Sequence, residues 1–110
     1  MICKTLEELH TEMRQKYEHL CDAYYAASAV DEFGELGREM LEKYANPDDA
    51  RFAASIAHYY GELGREMLSK YEDPFDARRA TETVHEFGDI GREMLEKYAN
   101  PFDAYWEAKK

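Results

Sequence analysis

Apolar side chains recur along the chain at alternating spacings of three and four residues. Between Ala77 and Tyr98 the series reads Ala77, Ala80, Val84, Phe87, Gly91, Met94 and Tyr98. The segment from Ala50 to Tyr71 repeats this spacing, which places the apolar side chains on one face of an α-helix. Ile56, Leu63 and Leu68 widen the face there, which favours a helical bundle or array over a two-stranded coiled coil.

The sequence also repeats itself with a period of 27 residues. Near copies begin at Gly34, Gly61 and Gly88 and read GELGREMLEKYANPDDA, GELGREMLSKYEDPFDA and GDIGREMLEKYANPFDA. A weaker copy precedes them, and a further unit begins at Pro101. A period of 27 residues leaves a straight helix about half a turn out of phase. Successive apolar faces therefore share one core only if the chain reverses direction between copies.

Three junctions between copies carry a helix-start signal. The signal occurs at Asn46-Pro47, Asp73-Pro74 and Asn100-Pro101. It combines an N-cap residue with a proline at the first helical position, and an aspartate follows three residues after the cap. Such tight junctions predict antiparallel neighbours. Thr5 and Glu8 predict a capping box for the first helix. The junction near Cys21 lacks proline and glycine, so the sequence is compatible both with separate helices 1 and 2 and with one continuous helix.

Two glycines lie three residues apart in every copy, first at 34, 61 and 88 and then at 37, 64 and 91. Each glycine costs a helix about 1 kcal/mol relative to alanine, so its repetition indicates a use. One interpretation is a close approach of the helix backbone to a neighbouring helix or to an aromatic ring. The other interpretation divides each copy into two short helices at the glycines.

A copy divided in this way resembles a tetratricopeptide repeat. Residues 73–91, DPFDARRATETVHEFGDIG, are similar to the helix opening of that family. The resemblance covers half of a unit, and the period of 27 residues is shorter than the roughly 34 residues of that family. We therefore prefer the undivided interpretation.

The predicted fold is an all-α antiparallel helical bundle or array. About four single-helix repeats of 27 residues and a short C-terminal helix form one domain over residues 1–110. The expected helices span approximately 6–20, 22–44, 47–71, 74–98 and 101–109.

Composition restricts the classes of partner. The chain has 45% hydrophobic and 35% charged residues and a net charge of −10, as expected of an acidic globular protein. No basic patch is present to replace phosphate counterions, so we expect no direct binding to nucleic acid. No window reaches the roughly eighteen apolar residues of a membrane span, and no signal peptide is recognisable. These features predict a cytoplasmic protein without membrane contact. Cys3 and Cys21 would lie about 25 Å apart along a helix, which predicts reduced thiols.

Motifs for catalysis are lacking in the sequence, which has no phosphate-binding loop, nucleophile elbow or Cys/His couple. The repeated Arg-Glu dipeptide at Arg38, Arg65 and Arg92 favours salt bridges along each helix, such as Glu35 with Arg38. We therefore predict a protein that is not an enzyme and carries no cofactor.

A metal site is the alternative for the histidines. Glu7-x-x-His10 and Glu82-x-x-His85 match the Glu-x-x-His spacing of di-iron helical bundles. With four histidines and many glutamates in the chain, such spacing also arises by chance. His10 falls on the seam where the copies carry Gly, and His85 aligns with His58 and Asp31, which suggests a solvated helix flank. We therefore predict no metal, with a Glu/His metal-binding bundle as the alternative.

Surface aromatic and acidic residues are the remaining candidates for function. Nine Tyr, five Phe and one Trp exceed what a core of this size needs, and such side chains contribute much of the energy at interfaces. The candidate partner-binding residues are Phe75, Phe102, Tyr105, Trp106, Glu82, Glu86, Asp89 and Glu93.

The sequence thus predicts a non-catalytic acidic protein that binds a protein partner, or a second copy of itself, as an inhibitor or adaptor. The alternative is a nucleic-acid mimic, in which the carboxylates of residues 31–49 and 72–107 occupy the basic groove of a nucleic-acid-binding enzyme, as in small anti-restriction and anti-CRISPR proteins. That comparison rests on size and charge. Added salt should weaken the binding of a mimic steeply and that of an aromatic contact little.

Overall fold

The structure is a computed structural model that describes residues 5–110. These residues form seven helices and no strand. The helices are α1 (Leu6–Arg14), α2 (Leu20–Phe33), α3 (Glu35–Lys43), α4 (Pro47–Lys70), α5 (Pro74–Phe87), α6 (Asp89–Lys97) and α7 (Pro101–Lys109). The predicted all-α class is confirmed.

The helix-start signals work as the sequence predicts. The side-chain oxygens of Asn46, Asp73 and Asn100 each accept a hydrogen bond of 2.8 Å from the amide two residues later. Thr5 and Glu8 form the predicted capping box, in which each side chain accepts a hydrogen bond from the other residue's amide. These bonds satisfy helix amides that have no partner inside the helix.

Each copy contains two helices, so the prediction of single-helix repeats is wrong. Gly34 separates α2 from α3, and Gly88 separates α5 from α6, where single helices over 22–44 and 74–98 were expected. Gly61 kinks α4 at the equivalent position, with φ 58° and ψ −130°. Gly34 and Gly88 have nearly the same φ and ψ angles. Residues with a side chain rarely adopt this conformation, because the Cβ atom clashes with the backbone.

We call the helix that begins at each junction the leading helix. The helix that begins after the first glycine of a pair is called the following helix. The leading helices are α2, the part of α4 before Gly61, α5 and α7. The following helices are α3, the part of α4 after Gly61, and α6, and α1 aligns with them in sequence.

Helix α1 ends at Arg14, earlier than the expected residue 20, and α2 is a separate helix. The amide of Gln15 donates to the carbonyl of Glu12 at 3.2 Å, a three-residue bond that tightens the last turn. His19 then adopts an extended conformation before α2 begins.

The second glycine of the pair allows two backbones to approach closely. A Cβ at Gly37 would lie 2.2 Å from the carbonyl oxygen of Ala29, and one at Gly91 would lie 2.4 Å from that of Thr83. The predicted close approach is therefore confirmed at these two positions. The first glycine of the pair turns the chain, and the second lets the following helix pack against its own leading helix.

The chain divides into two compact units, and the boundary between His58 and Tyr59 lies within α4. In the first unit α1 and α3 each pack against α2. In the second unit α5, α6 and α7 pack against one another. Alanines line both cores, which keeps the helix axes close. The buried core of the first unit includes Leu9, Met13, Ala23, Ala26, Ala27 and Val30, and that of the second includes Ala77, Ala80, Leu95 and Ala104.

The repeated Arg-Glu dipeptide forms salt bridges between copies. Arg38 donates to both carboxylate oxygens of Glu12 at 2.8 and 3.2 Å. Arg92 donates to those of Glu66 at 2.7 and 3.1 Å. The expected partner of Arg38 was Glu35 on the same helix, but this residue adds only a weaker electrostatic attraction. The repeat explains the geometry, because both pairs join equivalent positions that lie 26 residues apart.

Alanine at Gly37 and alanine at Gly34 test the roles of the two glycines separately. We expect Gly37→Ala to lower the free energy of unfolding by about 2 kcal/mol or more, because the new methyl group overlaps a backbone carbonyl. Gly34→Ala meets no atom within 4 Å, so its expected loss of about 1–3 kcal/mol comes from the backbone conformation alone. Urea denaturation followed by circular dichroism measures both.

The matched control is Ser69→Ala, which changes an exposed helical position. It should raise stability by at most about 0.5 kcal/mol, the difference in helix propensity. A Gly37→Ala variant as stable as this control would contradict the close approach.

A double-mutant cycle on Glu12→Gln and Arg38→Gln measures the salt bridge between copies. The two side chains are 23% and 34% exposed, so we expect a coupling energy of about 0.5–1 kcal/mol. The pair of Glu66 with Arg92 is 45% and 47% exposed and should couple more weakly. Both couplings should fall with added salt. A zero coupling for the first pair at low salt would contradict the bridge.

The pH dependence of the second pair has a defined sign. The hydrogen bond from Arg92 lowers the pKa of Glu66. The stabilisation from this pair is therefore complete above the ordinary pKa of a glutamate and is lost as the pH falls through the lowered value.

Candidate functional site

Arg79 on α5 organises a group of aromatic side chains on α7. Its guanidinium lies 5.2 Å from the ring centre of Phe102 and 4.7 Å from that of Tyr105. A planar guanidinium favours the faces of aromatic rings, because the ring quadrupole attracts the cation. One α5 side chain therefore orients two rings of the neighbouring helix. We call Arg79, Glu86, Phe102, Tyr105 and Trp106 the α5–α7 surface.

Tyr105 is the centre of this surface. Its hydroxyl donates a 3.0 Å hydrogen bond to Glu86 on α5. Its ring makes edge contacts with Phe87 and Trp106 at centroid distances of 5.5 and 5.8 Å. The bond to Glu86 is the main cause that raises the pKa of Tyr105, because the carboxylate favours the neutral phenol that donates to it.

Trp106 and Phe102 present much of their surface to solvent. Trp106 is 59% exposed and Phe102 is 40% exposed. Lys109 covers part of the Trp106 ring, with its Nζ 5.1 Å from the ring centre. Large aromatic side chains at fixed positions and in contact with water are typical of surfaces that bind another protein.

Charges on and beside the surface are more balanced than the sequence predicts. Glu82 is paired with Arg78 at 3.1 Å and with Arg79 at 3.8 Å. Lys109 adds a further positive charge beside Trp106. The acidic residues here are therefore engaged by basic or hydroxyl groups of the same unit, and they do not form a row of free carboxylates.

No known protein family, characterised protein or solved structure matches this chain. Within residues 5–110 no helix is both long enough and apolar enough to cross a membrane. Function is therefore inferred from the geometry of the surface.

The other predicted binding residues lie apart from the aromatic rings of α7. Phe75 is 53% exposed in the first turn of α5. Asp89 and Glu93 are exposed on α6. The structure thus joins Glu86, Phe102, Tyr105 and Trp106 in the α5–α7 surface and leaves the other four of the eight predicted residues outside it. Of these four, Glu82 lies beside the surface and is paired with Arg79.

The two Glu-x-x-His pairs lie in different units. Glu7 and His10 are on α1, and His10 makes an edge contact with the ring of Tyr24 at 5.9 Å. His85 on α5 contacts the ring of Tyr60 at 5.5 Å, while Glu82 is paired with arginines. Among residues 5–110 no group of three or more His, Cys, Asp or Glu side chains could hold a metal ion.

The cysteines add no chemistry that the structure describes. Cys21 is an exposed free thiol at the start of α2. Cys3 lies outside the described residues.

The sequence analysis missed Arg79 and one exposed helix face. Arg79 was not recognised, although it aligns with Trp106 one period later. An exposed face on α2, formed by Leu20, Tyr24 and Tyr25, was also missed. Alignment of the copies could have found both, because Tyr24 and Tyr25 align with Tyr105 and Trp106 three periods later.

Replacing the acceptor of the Tyr105 hydroxyl tests the central contact. We expect Glu86→Gln to lower the pKa of Tyr105 toward the ordinary tyrosine value, because the neutral phenol loses a charged acceptor. An NMR titration of the tyrosine ring carbons measures the change. Glu93→Gln on α6 is the control and should leave this pKa unchanged. An equal shift in both variants would mean that general charge, and not the contact, raises the pKa.

Proposed function

We propose that the chain is a non-catalytic protein that binds another protein through the α5–α7 surface, as an inhibitor or adaptor. The observation that carries this proposal is the combination of fixed aromatic rings and high exposure. Arg79 and Glu86 hold Phe102 and Tyr105 from the neighbouring helix, while Trp106 remains 59% exposed.

The composition of the surface supports a protein partner. Trp, Tyr and Arg are the residue types that contribute most at the centres of protein interfaces. Side chains that are already held in one conformation lose less entropy on binding, which favours affinity. The surface needs no opposite charge on its partner, because Glu82 and Glu86 already have partners within the chain.

Mimicry of nucleic acid remains the second candidate, and the net charge of −10 favours it. A mimic requires carboxylates that face outward and compete for a basic groove. The two candidates differ in the surface that they use and in their response to salt, so one set of variants separates them.

Removing the exposed tryptophan tests the first candidate. Tagged wild-type chain captures proteins from a lysate of the source cells, and mass spectrometry compares them with those captured by Trp106→Ala. Ile90→Ala is the matched control, because Ile90 is 55% exposed on α6. We expect a partner that Trp106→Ala loses and the control retains. With the purified partner, titration calorimetry should show a loss in affinity of about 30-fold or more and little dependence on salt.

A partner that binds wild type and Trp106→Ala equally would contradict the proposal. A nucleic-acid-binding protein released by salt would favour mimicry instead, provided that joint replacement of the four acids by their amides abolishes its binding. The acids are Glu82, Glu86, Asp89 and Glu93.

A further inference from the structure

Helix α2 carries a second exposed face, in the first unit. Leu20 is 64% exposed, Tyr24 is 50% exposed and Tyr25 is 39% exposed. Leu20 and Tyr24 lie one turn apart on the same side of the helix. Tyr25 lies beside them, with its ring centroid 6.4 Å from that of Tyr24. We call these three residues the α2 face.

The repeat indicates which chemical group a partner bound to the α2 face would contribute. Tyr24 aligns with Tyr105 three periods later. The ring of Tyr105 is covered by the guanidinium of Arg79 at 4.7 Å. Tyr24 contacts the rings of His10 and Tyr25, and the described residues place no lysine or arginine over it. Among residues 5–110, no cation therefore covers this ring as Arg79 covers that of Tyr105.

The local charge also favours a cation. Helix α2 contains no Lys or Arg, whereas the leading helices of the next two copies have Arg51 and Arg78 at the position of Tyr24. Beside His10, the carboxylates of Glu7 and Glu8 line a depression of about 400 Å³ on α1, together with Thr11 and Arg14. His10 joins the two features, because its ring is 5.9 Å from that of Tyr24. An apolar face without bases thus adjoins a depression whose lining carries two carboxylates and one arginine.

We propose that the α2 face binds an arginine-bearing amphipathic helix of a partner protein. The guanidinium of the partner covers Tyr24 as Arg79 covers Tyr105, and its apolar side chains pack on Leu20 and Tyr25. A second base of the partner faces Glu7 and Glu8. This surface is independent of the α5–α7 surface, and it differs in chemistry because the α5–α7 surface supplies its own cations.

Matched peptides test the chemistry of the occupant. Three synthetic helical peptides share one apolar stripe and carry arginine, citrulline or glutamate at the flanking positions. Citrulline keeps the planar shape of arginine and removes its charge. Each peptide is titrated into the full-length ¹⁵N-labelled chain. We expect the arginine peptide to bind at least about tenfold more tightly than the citrulline peptide, and the glutamate peptide not to bind. The largest shifts should map to α1 and α2.

Variants of Tyr24 then identify the contact. Tyr24→Leu keeps an apolar side chain and removes the aromatic face, so we expect the affinity for the arginine peptide to fall about tenfold. Trp106→Ala is the control and should leave this affinity unchanged. Thermal unfolding of each variant verifies that the fold is retained.

Three results would overturn the inference. The first is equal binding of the arginine and citrulline peptides, and the second is full affinity in Tyr24→Leu. The third is a set of chemical shift changes centred on α5 and α7. The last result would move the arginine-binding role to the other surface, whereas failure of the Trp106→Ala capture experiment leaves this inference intact.

Discussion

The structure depends on a close contact between two helix backbones within a copy. In the first unit Gly37 lies against the carbonyl of Ala29, and in the second unit Gly91 lies against that of Thr83. Any side chain at these glycines would overlap a backbone oxygen, and a backbone cannot move aside as a flexible side chain can. The contact forms only because the preceding glycine of the pair, with a positive φ, reverses the chain after α2 and after α5. The two glycines therefore act together, and each is useful only in the presence of the other.

Repetition of this contact fixes the rest of the scaffold. Because a following helix holds the same position on its leading helix in each unit, equivalent arginines reach equivalent glutamates 26 residues earlier. Many of the inward positions are alanine, as at Ala26 and Ala77. The outward positions of the leading helices differ in residue type between copies. Tyr24, Arg51, Arg78 and Tyr105 occupy one such position. Differences between copies at outward positions therefore determine the chemistry of each surface, which is why the α2 face and the α5–α7 surface differ.

The sequence predicts the parts of this structure that rest on local interactions. Caps at Asp73 and Asn100 depend on residues within one helical turn, and both are present. The division of each copy was predicted wrongly, because a turn at one glycine and a close approach at another favour the same residue type. The predicted partner of Arg38 was wrong, because the sequence alone does not distinguish a glutamate one turn away on the same helix from one in the preceding copy. The group around Tyr105 was predicted in part, since Trp106 and Phe102 were recognised while Arg79, which orients Phe102 and Tyr105 from another helix, was not.

The most direct test of the paired-glycine contact is a nuclear Overhauser measurement between the Hα protons of Gly37 and the protons of Ala29 and Val30. In a continuous helix, residues eight positions apart are separated by about 12 Å, and no such signal arises. In the divided copy the two backbones are in contact. We therefore expect strong signals for this pair and for Gly91 with Thr83. Absence of both signals in the folded protein, with helical chemical shifts continuing through Gly34 and Gly88, would contradict the two-helix copy and the surfaces built on it.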